Sequence, residues 1–198
     1  DRKVIGTLNT GPGAAGLSIT KDGKRAYVAN RMAGSVSILS IDGKQVALVK
    51  TVPLMKADTL LSHIALSPDG GTGVVTRNGD AKVELVKLGG DNITSTAVLD
   101  IAPRPYAAAV TPDGKTAVVA SLGDPKGNGV LSVIDLASGK IVNTTDIGHE
   151  SLEGMMMSPD GRWIAGVAHG GSTRPKDAPQ YKPKGVVVLY RLEGNGLT

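Results

Sequence analysis

Four tight turns at a nearly fixed interval constrain this chain more than any other feature. Lys21-Asp22-Gly23, Pro68-Asp69-Gly70, Pro112-Asp113-Gly114 and Pro159-Asp160-Gly161 place their aspartates 47, 44 and 47 residues apart. A period of that length fits a four-stranded unit with short connections, and fixed-period self-similarity marks a repeat architecture. Asp caps its own backbone, Gly accepts positive φ and Pro presets the turn, so each triplet predicts a β-hairpin.

Short apolar runs flank every turn, as in Gly16-Leu17-Ser18-Ile19-Thr20 before the first and Ala26-Tyr27-Val28-Ala29-Asn30 after it. A third strand is predicted over Ser35–Leu39, Lys82–Val86, Val130–Ile134 and Val186–Tyr190. A fourth is predicted over Lys3–Leu8, Ala47–Val52, Thr96–Ile101 and Lys140–Thr145, each leading into the next unit. Sixteen strands in four units follow, with approximate boundaries 3–45, 46–92, 93–139 and 140–198. Gly and Pro interrupt nearly every ten-residue window, so helical periodicity is absent. Small residues such as Ala107-Ala108-Ala109 suit the crowded inner edge of a radial sheet. The pattern therefore predicts an all-β chain, a β-propeller of four-stranded antiparallel blades with about four blades here. A β-sandwich with similar turns is the alternative.

Composition removes several classes. The 198 residues include 27 Gly, no Phe and no Cys. Without cysteine there are no disulfides, no Cys-ligated zinc, no iron–sulfur cluster and no thiol catalysis. No apolar run approaches the roughly 20 residues a bilayer span needs, which predicts a soluble globular chain. The formal charge of +4 is scattered, and only five aromatics are available for base stacking. Nucleic-acid binding is therefore not expected. The chain opens at Asp1 with no basic, apolar leader, as a processed form or a fragment would.

Asp22-Gly23-Lys24-Arg25-Ala26-Tyr27-Val28-Ala29-Asn30 followed by Val36-Ser37-Ile38, with Pro112-Asp113-Gly114-Lys115-Thr116-Ala117-Val118-Val119-Ala120, resembles the YVTN-type β-propeller repeat. That family includes surface-layer and periplasmic propellers and is similar to lactonase-type and haem-binding cytochrome d1-type propellers. The resemblance covers nearly the whole chain and implies a periplasmic or cell-surface location and a ring of seven or eight blades. Missing blades would come from the rest of a longer chain, the favoured expectation, or from a second chain; a four-bladed ring closed on itself is the remaining option. An open half-ring would expose apolar sheet.

Candidate chemistry gathers opposite the Pro-Asp-Gly turns. Counting back from each turn aspartate, Ala15, Ser62, Tyr106 and Glu153 stand seven positions earlier, and Gly16, His63, Ala107 and Gly154 six. These eight are expected to ring the channel mouth, where the resemblance implies that ligands bind. His63, Tyr106 and Glu153 are the candidates there, with Arg104, His149 and His169 on the same face beside Arg31, Arg77 and Glu150. Ile147-Gly148-His149-Glu150-Ser151 is similar to a connector common in the family, which implies a turn-stabilising role for His149. The segment Gly170–Gly185 is much longer than the corresponding loops, and long loops on rigid scaffolds carry binding function. Arg174, Lys176 and Tyr181 are its candidate residues. Met155-Met156-Met157 is expected to fill core.

Catalytic constellations are incomplete. No His-x-His or His-x-x-x-His pair prepares a metal site, so no metal is assigned and no cofactor is expected. There is no Gly-x-Ser-x-Gly elbow and no phosphate-cradling loop. The reading is a non-enzymatic periplasmic or cell-surface propeller that binds a protein, a glycan or a small ligand on its channel face. The alternative is a lactonase-type hydrolase, or a haem- or metal-binding propeller, using His63, Glu153, Tyr106 and Arg104.

Overall fold

The computed structural model describes residues 3–125, 127–172, 174–179 and 181–198. Four antiparallel sheets follow one another along the chain, each with its strands in sequence order. The first blade comprises β1 (Ala14–Ile19), β2 (Arg25–Asn30), β3 (Ser35–Asp42) and β4 (Gln45–Pro53). The second comprises β5 (Leu61–Leu66), β6 (Thr72–Arg77), β7 (Lys82–Gly89) and β8 (Asn92–Asp100). The third holds β9 (Pro105–Val110), β10 (Thr116–Ser121), β11 (Asn128–Asp135) and β12 (Lys140–Glu150). The fourth holds β13 (Leu152–Met157), β14 (Trp163–Ala168), β15 (Val186–Glu193) and β16 (Gly196–Leu197). The inner strands pack in series, β1 on β5, β5 on β9 and β9 on β13, the arrangement of a propeller arc. The only helical turn among the described residues is Ala57–Thr59, and no helix is long and apolar enough to cross a membrane.

The strand count matches the sixteen expected from the sequence, but the frame differs. Residues 3–10 form no strand, and Val4 and Ile5 are exposed. The two-residue β16 supplies the sixteenth strand instead. Each predicted fourth strand also closes the sheet before it, because the short Asp42-Gly43-Lys44 and Gly89-Gly90-Asp91 connections fold β4 onto β3 and β8 onto β7. The sheets therefore cut the chain one strand later than the units 3–45, 46–92, 93–139 and 140–198.

The four hairpin turns share one set of bonds. Thr20, Ser67, Thr111 and Ser158 each donate a hydroxyl to the aspartate two residues on. The same hydroxyls accept the amides of Arg25, Thr72, Thr116 and Trp163. The aspartates in turn accept the amides of Lys24, Gly71, Lys115 and Arg162 at 3.0 Å. Glycine follows at φ between 69° and 73°, the left-handed region that residues with a Cβ avoid.

Core forms where blades meet. Tyr27, Ala29, Val36 and Ile38 of the first blade pack on Ile64, Val75, Val86 and Leu88 of the second. Val74, Val83 and Leu85 then meet Ala108, Ala117, Val119 and Ile134, and Val118, Ala120, Leu131 and Val133 meet Leu152, Ile164 and Ala168. Burying each Val, Leu or Ile contributes about 1.5–3 kcal/mol. Alternate residues of each strand serve the two neighbours, which is why the hairpin strands read as continuous apolar runs. Met155 and Met157 pack into the last junction as expected, whereas Met156, pointing to the opposite face, is exposed.

Candidate functional site at the channel mouth

At the mouth the backbone does the same unusual thing four times. Gly13, Leu60, Arg104 and Ser151, each nine residues before a turn aspartate, have φ of 72°, 52°, 56° and 59°. For residues other than glycine that conformation costs about 1–3 kcal/mol. Each is followed by an inner strand whose pairing slips within its first residues. His63 pairs Thr76 and Leu61 pairs Arg77, which leaves Ser62 as the extra residue. Tyr106 and Glu153 are left over in the same way between Pro105 and Ala107 and between Leu152 and Gly154. A bulge re-aims a side chain, and here it turns one residue per blade out of the sheet.

These residues share a cavity of about 460 Å³ lined by Ala15, Gly16, Ser62, His63, Tyr106 and Glu153, with Ala107, Gly154 and Met155. His63 is wedged against the first blade. A Cβ at Gly16 would stand 2.4 Å from its Cδ2 and 2.6 Å from the Ser62 carbonyl oxygen, so only glycine fits there. Its backbone amide donates to Thr76 Oγ1 at 2.9 Å, and Thr76 Oγ1 donates to the Tyr106 carbonyl at 3.0 Å. The buried Nδ1 has no partner among the described residues. Burial pushes the imidazole below its ordinary pKa, so His63 is neutral at pH 7. Glu153 is hydrogen-bonded to Nε2 of His169, whose backbone amide is fixed by the Ser151 carbonyl at 3.1 Å.

Arg31, in the β2–β3 loop, reaches the mouth through bonds to the second blade. Its Nη1 donates to Ser62 Oγ at 2.6 Å and its Nη2 to Asn78 Oδ1 at 3.2 Å. Asn78 Nδ2 continues to the Pro105 carbonyl at 3.4 Å, so one line of polar groups crosses three blades.

Other candidates lie elsewhere. Arg104 folds back to donate Nε to the Gly123 carbonyl at 2.7 Å, bracing the β10–β11 loop. His149 is exposed on β12 and does not line the cavity. Arg77 is compensated by Asp80 and Glu84. In the long loop, Arg174 pairs with Glu150 at 2.9 Å and caps the Pro125 carbonyl at 2.9 Å, pinning the loop to the third blade. Lys176 is exposed, and Tyr181 is half-buried with its amide bonded to Ala178. Thr173 and Gln180 of this loop lie outside the described residues. Among the described residues no three His, Asp or Glu side chains converge as a metal site.

A second cavity of about 470 Å³ opens on the turn face among Asp22, Arg25, Tyr27, Pro68 and Gly90. Two of its charged groups already have partners, since Arg25 pairs with Asp91 at 2.9 Å and Asp22 accepts from Thr20. The mouth cavity gathers His63, Tyr106 and Glu153 from three blades, and it is the candidate site.

The fold has solved counterparts. One is a protein of Bacteroides uniformis provisionally assigned as a 6-phosphogluconolactonase, 13% identical, with a TM-score of 0.72 over 93% of this chain and 52% of its own. Another is a protein from Lactobacillus plantarum, 16% identical, with a TM-score of 0.67 over 93% and 55%. The hydrazine synthase of Kuenenia stuttgartiensis aligns at 17% identity and a TM-score of 0.54 over 98% and 67%. The chain thus spans about half the length of the first two. Identities this low establish the propeller fold alone. No protein-family model and no curated protein matches the chain.

Proposed function

We propose that this chain is a ligand-binding propeller module that takes a small polar molecule at the channel mouth, acting in the periplasm or at the cell surface. One observation carries the reading: His63, Tyr106 and Glu153, from three successive blades, converge on one cavity of about 460 Å³. Tyr106 offers a ring face and a phenol, the usual pairing of apolar body and polar tip in binding sites.

Hydrolysis of a lactone is the second reading, favoured by the Glu153–His169 pair and by the provisional assignment of the Bacteroides protein. In it the Glu153–His169 pair takes a proton from water as the oxygen adds to the lactone carbonyl carbon. The ring C–O bond then breaks, and the departing alkoxide takes a proton back, giving the open hydroxy acid.

Calorimetric titration with gluconate, 6-phosphogluconate and glucono-1,5-lactone, with histidine 15N shifts read on the same samples, tests both. Saturable binding that shifts the His63 imidazole and is lost in His63→Ala and Tyr106→Ala is the expected result. If His63 does not shift with any of the three, the binding reading for this class of ligand is wrong. Acid release from the lactone above the spontaneous rate, abolished by Glu153→Gln, would move the assignment to the hydrolase.

A further inference from the structure

The arginines of the described residues divide into two kinds. Arg25, Arg77, Arg162, Arg174 and Arg191 each pair with a carboxylate. Arg31 and Arg104, both on the mouth face and both half-buried, are held by neutral oxygens instead. Arg31 donates to the Ser62 hydroxyl and the Asn78 side-chain carbonyl, and Arg104 to the Gly123 carbonyl. Hydrogen bonds of this kind fix a guanidinium in place without neutralising its charge.

Ser62 is the bulged residue of the second blade, buried in the sheet register yet lining the mouth cavity. A guanidinium can only donate, so Ser62 Oγ is the acceptor of the 2.6 Å bond from Arg31, and its own O–H proton is available to a further acceptor. A hydroxyl polarised by a cation is a stronger donor than a neutral one, above all toward a negative oxygen. Asn78 completes the arrangement. Its Nδ2 donates to the Pro105 carbonyl, which turns Oδ1 toward Arg31. Arg31 and Asn78 stand nine residues after their turn aspartates, a place held by Leu122 and His169 in the third and fourth blades. The hydroxyl–guanidinium pair therefore marks the second blade's side of the mouth, while Glu153 and His169 form the corresponding pair in the fourth.

We propose that Ser62, polarised by Arg31, recognises a carboxylate, so that the ligand of the mouth is a small carboxylic acid anion with its acid end at the second blade and its hydrogen-bond donors toward Glu153. This rests on the reading of the cavity as a binding site and names the ligand class. Charge decides the orientation: an anionic group beside Glu153 would meet a like charge, whereas at Ser62 it meets a guanidinium that no carboxylate compensates. Asn78 then sets specificity indirectly, because an aspartate in its place would supply the missing counter-charge.

Gluconate and sorbitol, which differ at one end by a carboxylate against a hydroxymethyl group, are the probes. Both are titrated calorimetrically into the 198-residue chain, with histidine 15N shifts read on the same samples. Gluconate should bind at least about tenfold more tightly, the factor a hydrogen bond to a charged group supplies. Ser62→Ala and Arg31→Gln should remove that preference, the loss falling on gluconate. Asn78→Asp, nearly the same shape, should do so with the fold intact, because it neutralises Arg31 where it stands. Equal affinity for the two probes, with His63 shifting in both, would overturn the carboxylate assignment and leave the binding reading standing. A preference for gluconate that survives Asn78→Asp and Arg31→Gln would overturn the role of Ser62 and Arg31. If neither probe shifts His63, the binding reading for this class fails and takes the assignment with it.

Discussion

On the turn face Thr20, Ser67, Thr111 and Ser158 hold four aspartates with the same bonds, and the side chains barely vary. On the mouth face the backbone repeats as faithfully, with a left-handed residue and a slipped register in each blade, but the side chain seven before the aspartate is Ala15, Ser62, Tyr106 or Glu153. The turns close each hairpin and seat it on its neighbour, so their chemistry is constrained in every copy. The bulged residue points out of the sheet and takes no part in a junction core, so it is free to differ. A repeat that keeps its geometry while changing its side chains marks where a fold carries function.

The largest effect that would separate the two faces comes from their glycines. Gly16→Val at the mouth drives a side chain into His63 and the Ser62 carbonyl, and should cost about 1–3 kcal/mol in denaturant unfolding while closing the cavity to ligand. Gly23→Ala on the turn face has open space around it and only the left-handed backbone to resist, so it should cost about 1 kcal/mol and leave binding untouched. Equal losses, or a binding defect in Gly23→Ala, would erase the distinction. Next in size is Asp113→Ala, which removes the acceptor for Thr111 Oγ1 and the Lys115 amide and should lower stability by roughly 1 kcal/mol. Thr111→Ala should do about the same, and the double variant should fall well short of the sum, because both act on one turn.

Acid should find the two faces at different pH. Hydrogen bonds from the Thr and Ser hydroxyls, and then from backbone amides, hold Asp22, Asp69, Asp113 and Asp160 below the usual carboxylate range. A depressed folded pKa means stability that is present above the unfolded value of 3.8 and lost as pH falls toward the folded one. His63 is a base whose folded pKa is also lowered, so the unfolded chain takes up its proton first as pH drops below 6.5. A shallow loss of stability should therefore begin near pH 6.5, with a second below 3.8. In thermal melts across pH, His63→Gln should abolish the first and spare the second; loss of both together would contradict the separation.

The turn face was readable because its signal is local: Asp-Gly at a fixed period, with apolar runs on both sides. The serine or threonine two residues before every aspartate was equally visible, and it completes the motif. At the mouth, counting back from the turn selected Ser62, His63, Tyr106 and Glu153, which share the cavity, since an in-register hairpin carries position from one end to the other. What the count missed depends on φ and on long contacts. Leu60, Arg104 and Ser151 bear no mark of left-handed backbone, and the Arg31–Ser62 bond joins residues 31 positions apart. His149 and Arg104 were drawn in by proximity along the chain, but β12 carries His149 to the outer edge of its blade and Arg104 is held by Gly123.

The smallest predicted effect tests whether the left-handed residues are a cost the mouth carries. Gly13 meets the requirement in the first blade without strain, whereas Ser151 meets it with a Cβ at φ 59°. Ser151→Gly relieves that strain, at about 1–2 kcal/mol, and loses about 0.5–1 kcal/mol through the freer unfolded chain. The net should be a gain of about 0.5 kcal/mol, read as a small rise in the denaturation midpoint at unchanged slope. Because the Ser151 carbonyl also receives the His169 amide, the register that presents Glu153 to His169 should survive, and ligand affinity with it. A gain in stability paired with a loss of binding would show instead that the strained backbone itself sets the aim of Glu153.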